Sequence, residues 1–181
     1  MHFNLDLAVN SFPLLLIGAG VTIQITALSV AVGIIIGLFA GIARISRVRA
    51  LRAVAAVYVD FFRGTPLLVQ LFLVYFALPA ISGQRIDPFV AAISACGINS
   101  GAYQAEIFRS GIEAVPRGQF EAGRSLGFSY RQTMRRIIMP QAIKNVIPTL
   151  ANEFIVLLKE TSVAGYVALA DLTKGGDIIR S

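Results

Sequence analysis

The strongest constraint on this chain is where charge is missing. No Asp, Glu, Lys or Arg lies between Asp6 and Arg44, between Arg63 and Arg85, or between Asp87 and Glu106. A helix needs about 20 mainly apolar residues to cross a bilayer core, and each gap holds one. With 56% hydrophobic and 14% charged residues, the 181-residue chain is too apolar for an ordinary soluble domain. The class is an all-α integral membrane protein.

The first gap runs for 37 residues, more than one crossing requires; Asn10, Ser11 and Pro13 predict a short surface helix ahead of a span over 18–43. Within that span Ser29, Gly33, Gly37 and Gly41 recur every four residues, a small-residue stripe read as helix packing. Residues 49–62 place Leu51, Val54, Ala55, Tyr58, Phe61 and Phe62 at the three-four spacing of an amphipathic interfacial helix. Arg63-Gly64-Thr65-Pro66 reads as a turn, a cap and a first helical position, opening a second span over 66–82. Asp87-Pro88 repeats that device for a third span over 88–112.

The third span carries Asn99, Tyr103, Glu106, Ser110 and Glu113, which fall within about 40° of one line on a helix. Lipid does not tolerate such a face, so it points either at a cavity or at a neighbouring helix. A fourth span over 140–163 contains Pro148, Asn152, Glu153, Lys159, Glu160 and Thr161. Glu153 follows the proline by one turn and a half, at a depth where an ionisable group is costly; Lys159 and Glu160 lie nearer the outer end, where they can snorkel or pair. The tail, 164–181, is polar and charge-balanced and reads as an outer loop or surface helix.

Between the third and fourth spans stands the one long basic segment, Pro116 to Pro140. Gly127 suits the positive φ that ends a helix, and Ser129 with Gln132 forms a capping box for the next. The segment therefore reads as two short helices hinged at Gly127. Twelve of the sixteen Lys and Arg residues flank this loop or the loop at 44–63. By the positive-inside rule both loops are cytoplasmic and the N-terminus is outside. That location of the charge, and the apolar spans around the loop, argue against nucleic acid as a partner.

Cys96 stands alone, so no internal disulfide forms; His2 is incidental; and MHFNLD lacks the basic region of a cleavable signal, so insertion uses the first helix. The sequence has no phosphate-binding loop, no metal-ligand cluster and no nucleophile triad, so any ATP chemistry belongs to a partner and no cofactor is expected.

The ordered set RGTPLLVQ (63–70), NSGAYQAEIFRSGI (99–112), the loop with Glu121-Ala122-Gly123, Gly127 and Met139-Pro140, and LLKETS (157–162) resembles the permeases of ABC importers for polar amino acids of the histidine, glutamine and arginine type. The loop resembles their "EAA" segment, with Gly123 where a second Ala is common and Met139 where Leu is. The resemblance covers nearly the whole chain. It implies a polytopic helical bundle in the bacterial inner membrane and a second permease subunit, identical or homologous. It also implies an ABC ATPase dimer gripping Glu121, Ala122, Gly123, Gly127 and Pro140, and an extracytoplasmic binding protein delivering an amino acid. It further implies a fifth span beyond these four. A substrate site is expected from Asn99, Tyr103, Glu153, Lys159 and Thr161. A secondary transporter would also carry intramembrane glutamate but would not explain the hairpin, and a structural or assembly protein would lack the polar face.

Overall fold

The computed structural model describes residues 5–167, 169 and 171–180, and every regular element among them is helical. His2 lies outside the described residues. The first helix, α1 (Leu5–Arg44), is one continuous element with Pro13 inside it. The separate surface helix expected before residue 18 therefore does not form. Proline removes one hydrogen bond, but no positive-φ glycine or helix cap stands beside it to stop the helix, and apolar surroundings make every remaining bond obligatory.

Amphipathic α2 (Arg49–Gly64) lies across α5 (Pro88–Glu113), burying Ala55 and Val59. It meets the next helical stretch, Leu67–Ser82, which opens with α3 (Leu67–Phe72), at 105°. Proline explains the corner, because the residue before it is driven to extended backbone: Thr65 has φ −116° and ψ 142°. The expected cap at Thr65 is not made. Its hydroxyl instead donates to the Phe61 carbonyl at 2.9 Å, and Pro66 precedes the first helical residue, Leu67.

After α3 the chain widens into a π-turn, Leu73–Ala77, then resumes as α4 (Leu78–Ser82), which ends at Gly83 with φ +71°. A second π-turn, Met134–Ile138, precedes α8 (Met139–Glu160). Both stand just ahead of a proline, Pro79 and Pro140. A proline has no N–H and its ring collides with the carbonyl four residues back, so the preceding N–H reaches one residue further, Leu78 to Leu73 and Met139 to Met134.

Helix α5 sits at the centre, capped as expected by Asp87, whose carboxylate accepts from the N–H of Phe89 and Val90. The glycine stripe of α1 lies directly on it. A Cβ on Gly37 would stand 2.7 Å from the Gln104 Cβ and 3.0 Å from the Gly101 carbonyl oxygen, so only glycine permits this backbone approach. One apolar core gathers Ile25, Leu71, Ala91, Ala92 and Ala95 with Ala164 and Val167, which come from a 3₁₀ turn, Thr161–Val167. Ile35, Phe39 and Ile42 on the far side of α1 are 59, 69 and 55% exposed, an outward apolar face that suits lipid rather than water. Among the described residues one helix, Ser11–Arg44, is both long and apolar enough to cross a membrane, or two if the bent pair 49–64 and 67–82 counts as one span. Helices α5 and α8 carry the polar residues and fail that test by composition.

Candidate functional site

The first arm and the hinge of the basic segment fold as the spacing predicts. Helix α6 (Arg117–Ser125) ends at Gly127, φ +84°, where the Phe128 N–H donates to the Gly123 carbonyl at 3.1 Å and the Gly127 N–H to the Arg124 carbonyl at 3.0 Å. This is the Schellman arrangement, which satisfies carbonyls that the helix end would otherwise orphan. The Ser129 backbone N–H then donates to the Gln132 side-chain oxygen at 2.8 Å while the Gln132 N–H returns to the Ser129 hydroxyl at 3.3 Å, starting α7 (Tyr130–Thr133). The second arm of the hairpin is not a separate helix, since α7 runs through the π-turn into α8.

Gly123 is buried at the crossing of the two arms. A Cβ there would stand 2.7 Å from the Thr133 Cγ2 and 2.9 Å from the Ile137 Cδ1. Glycine in place of the common alanine is thus accounted for by the crowding of this particular partner surface. Glu121, Ala122 and Pro140 are exposed, and beside them Leu126 (75%) and Tyr130 (57%) present apolar surface to the outside. Phe120 packs edge-on against Tyr130, ring centres 5.4 Å apart, which ties the two arms together. A rigid, partly apolar tip of this kind is suited to being gripped by a protein cleft.

The polar face of α5 is met by other helices at Asn99, Tyr103 and Glu106, whereas Ser110 and Glu113 are exposed and bond within α5. Asn99 is 3% exposed, and its amide donates to the Phe62 carbonyl at 3.0 Å and the Gln70 side-chain oxygen at 3.1 Å. The Gln70 amide in turn reaches the Thr65 hydroxyl at 2.8 Å and the Phe62 carbonyl at 3.0 Å. Together they satisfy the backbone that the corner at Thr65–Pro66 leaves open. Tyr103 lies under the Arg63 guanidinium, 5.2 Å from the ring centre. Further along, Glu106 bonds Arg109 in two places and approaches Arg44 of α1 at 3.6 Å, while Arg44 also reaches Asp60 of α2 at 3.3 Å and Arg109 reaches Glu113 at 2.5 Å.

Glu153 faces α5 from α8, half-buried, and accepts a hydrogen bond from the Ser100 hydroxyl at 3.4 Å. Ser100 also accepts from the Gln104 amide at 2.9 Å, and the Gln104 side-chain oxygen is buried without a partner among the described residues. Glu153, Ser100 and Gln104 therefore form a polar seam between α8, α5 and α1. Sequence reasoning passed over Ser100, Gln104 and Gln70, although all three lie inside the quoted RGTPLLVQ and NSGAYQAE segments. A four-residue spacing of Ser and Gln on an otherwise small-residue helix was the available signal.

Lys159 and Thr161 lie further towards the other end of α8. Thr161 is buried and its hydroxyl closes the helix end on the Leu158 carbonyl at 2.8 Å. Lys159 borders a groove of about 490 Å³ with Thr22, Ser162, Asp171 and Thr173. Asp171 starts α9 (Leu172–Arg180), accepting from the Lys174 N–H at 2.8 Å, and burial pushes its carboxyl above the ordinary carboxylate range. The five residues thus fall in three places: Asn99 and Tyr103 against α2, Glu153 on the seam, and Lys159 with Thr161 at the far end.

An all-helical bundle with a polar central helix and a protruding basic hairpin defines a membrane transport subunit. The chain belongs to the family of binding-protein-dependent transport system inner membrane components, whose pattern matches residues 33–180. It is 46% identical over 168 residues to the L-cystine transport system permease protein TcyB of Bacillus subtilis (strain 168), covering 92% of this chain and 71% of that protein. It is 42% identical over 180 residues to the glutamine transport system permease protein GlnP of Escherichia coli (strain K12), covering 99% and 82%. Among solved structures, an amino acid ABC transporter crystallised with histidines superposes with TM-score 0.94 at 45% identity, covering 99% of this chain and 84% of that one. An inward-facing MetNI methionine ABC transporter, at 24% identity and TM-score 0.73 over 89% of this chain and 77% of that one, shares the fold.

Proposed function

We propose that the chain is the permease subunit of an ATP-driven, binding-protein-dependent importer of polar amino acids. The observation that carries this is the hairpin, in which Glu121-Ala122-Gly123, Gly127 and Met139-Pro140 keep the spacing that resembles the importer coupling loop, on a tip shaped by the Gly127 turn and the Ser129 capping box. The subunit itself catalyses no reaction. ATP-driven closure of the partner ATPases moves the hairpin, and the helices alternate between inward-open and outward-open arrangements that bind substrate differently. It works beside a second permease subunit, the same or homologous, and receives substrate from an extracytoplasmic binding protein.

In this reading the spans are 18–43, 66–82, 88–112 and 140–163, the hairpin and the 44–63 loop face the cytoplasm, and the N-terminus and residues 83–87 face outward. A reporter fused at Gly83 then signals from outside; a cytoplasmic signal overturns the arrangement. The amino acid lies beside Glu153, whose carboxylate pairs with an ammonium or guanidinium and tilts selection towards basic substrates. Tyr103 and Lys159 line its route, while buried Thr161 holds the end of α8 and Asn99 contributes by holding the α2–α3 corner. Uptake and ATPase stimulation in Glu153→Gln and Asn99→Ala variants, with binding protein present, test this. Selective loss of basic substrates in Glu153→Gln supports the site, and unchanged transport of basic and neutral amino acids removes Glu153 from it.

A further inference from the structure

At the hairpin end of the bundle, a groove of about 530 Å³ opens between α1, α2 and α5, lined by Arg44, Arg49, Arg52, Ala53, Ala56, Arg109 and Glu113. Four guanidinium groups and one carboxylate line it, with the carboxylates of Asp60 and Glu106 also paired to two of them. Two are already committed, Arg44 to Asp60 and Glu106, and Arg109 to Glu106 and Glu113. Arg49 and Arg52 are exposed on one face of α2 and have no ion pair among the described residues. One face further round the same helix, Val54 and Val57 are each 70% exposed and apolar. A cationic recess directly beside an outward apolar strip, on a chain of an inner-membrane family, matches a molecule that is anionic at one end and hydrocarbon at the other.

We propose that this groove binds the headgroup of one anionic phospholipid. Arg49 and Arg52 donate to the phosphodiester oxygens, where the planar guanidinium fork matches a phosphate better than an ammonium would. Arg44 and Arg109 are neutralised by Asp60, Glu106 and Glu113, so the free positive charge of the recess comes from Arg49 and Arg52. The acyl chains lie along Val54 and Val57. This site is separate from the Glu153 seam and needs neither ATP nor an amino acid to fill.

The test is native mass spectrometry of the purified chain, exchanged into mixed micelles holding equal phosphatidylglycerol and phosphatidylcholine. The chain should retain one phosphatidylglycerol in preference to phosphatidylcholine. The Arg49→Gln/Arg52→Gln double variant should reduce that retention about tenfold or more, given the contribution of each basic residue near an anionic headgroup. An Arg135→Gln/Arg136→Gln double variant removes equal charge from the exposed hairpin arm and should leave retention unchanged. Equal loss in both doubles would make the attraction diffuse and overturn the site, as would equal retention of the two lipids. Displacement of the lipid by millimolar inorganic phosphate would show that a free anion is the occupant and also overturn it. If the Arg49→Gln/Arg52→Gln variant keeps its lipid yet no longer co-purifies with the ATPase, the groove is a protein contact and the proposal fails.

Discussion

The hairpin at 116–140 and the polar face of α5 carry similar densities of polar residues, yet they are organised by opposite means. The hairpin's turn and cap are closed by neighbours within five residues: Phe128 by Gly123, Gly127 by Arg124, Ser129 by Gln132. On α5, beside local pairs such as Arg109 with Glu106, the bonds of Asn99 and Ser100 are remote, to Phe62 thirty-seven residues away and to Glu153 fifty-three away. The hairpin can therefore keep its shape while it moves as a unit, whereas the α5 face exists only as long as its neighbours stay docked.

The largest expected effect separates the two directly. Gly37→Val places side-chain atoms against the α5 backbone and should destabilise the bundle by about 3 kcal/mol or more. Thermal unfolding in detergent reads this, and an unchanged midpoint would mean that the hairpin's local organisation extends to the bundle. Gly127→Val forces a β-branched residue to φ +84° at a local cost of about 1–3 kcal/mol. The protein should insert normally and lose ATPase co-purification. Cysteines placed at 118–128 that never crosslink to the ATPase would sink the docking assignment.

Asn99→Ala strands the Gln70 side-chain oxygen and leaves the Phe62 carbonyl with the Gln70 amide alone, and should cost about 1–3 kcal/mol. A double variant with Gln70→Leu should cost less than the sum of the singles, and strict additivity would show that the two amides act independently. Ser129→Ala removes one half of the capping box, about 1 kcal/mol, and should leave bundle unfolding untouched while loosening hydrogen-exchange protection at 130–133.

The same contrast explains what could be read from the residues alone. Gly127, Ser129 with Gln132, and Asp87 were legible because each signal and its partner lie within one turn of chain. The glycine stripe on α1 announced a close helix contact but not that Gln104 and Gly101 would receive it. Pro13 suggested a break that apolar surroundings override, and Thr65 read as a cap although the corner spends its hydroxyl backwards on Phe61. The π-turns before Pro79 and Pro140 follow from proline chemistry that the spacing contained, but choosing a π-turn over a kink depends on the continuing helix beyond. Gln70, Ser100 and Gln104 were missed because a polar residue in an apolar helix gains meaning only from what stands opposite.

The packing of α8 on α5 has a mechanical consequence. At one end a Cβ on Gly111 would stand 2.2 Å from the Val146 Cγ2, so the two helices touch there with no slack. Further along, Glu153 meets α5 through one hydrogen bond of 3.4 Å, from Ser100. Between the tight contact and that hydrogen bond the helix acts as an arm. Seven residues of helix separate Val146 from Glu153, an arm of about 10 Å. A tilt of about 10° delivered at the tight contact by a pull on the adjoining hairpin would swing the carboxylate by about 2 Å, enough to unlatch it from Ser100.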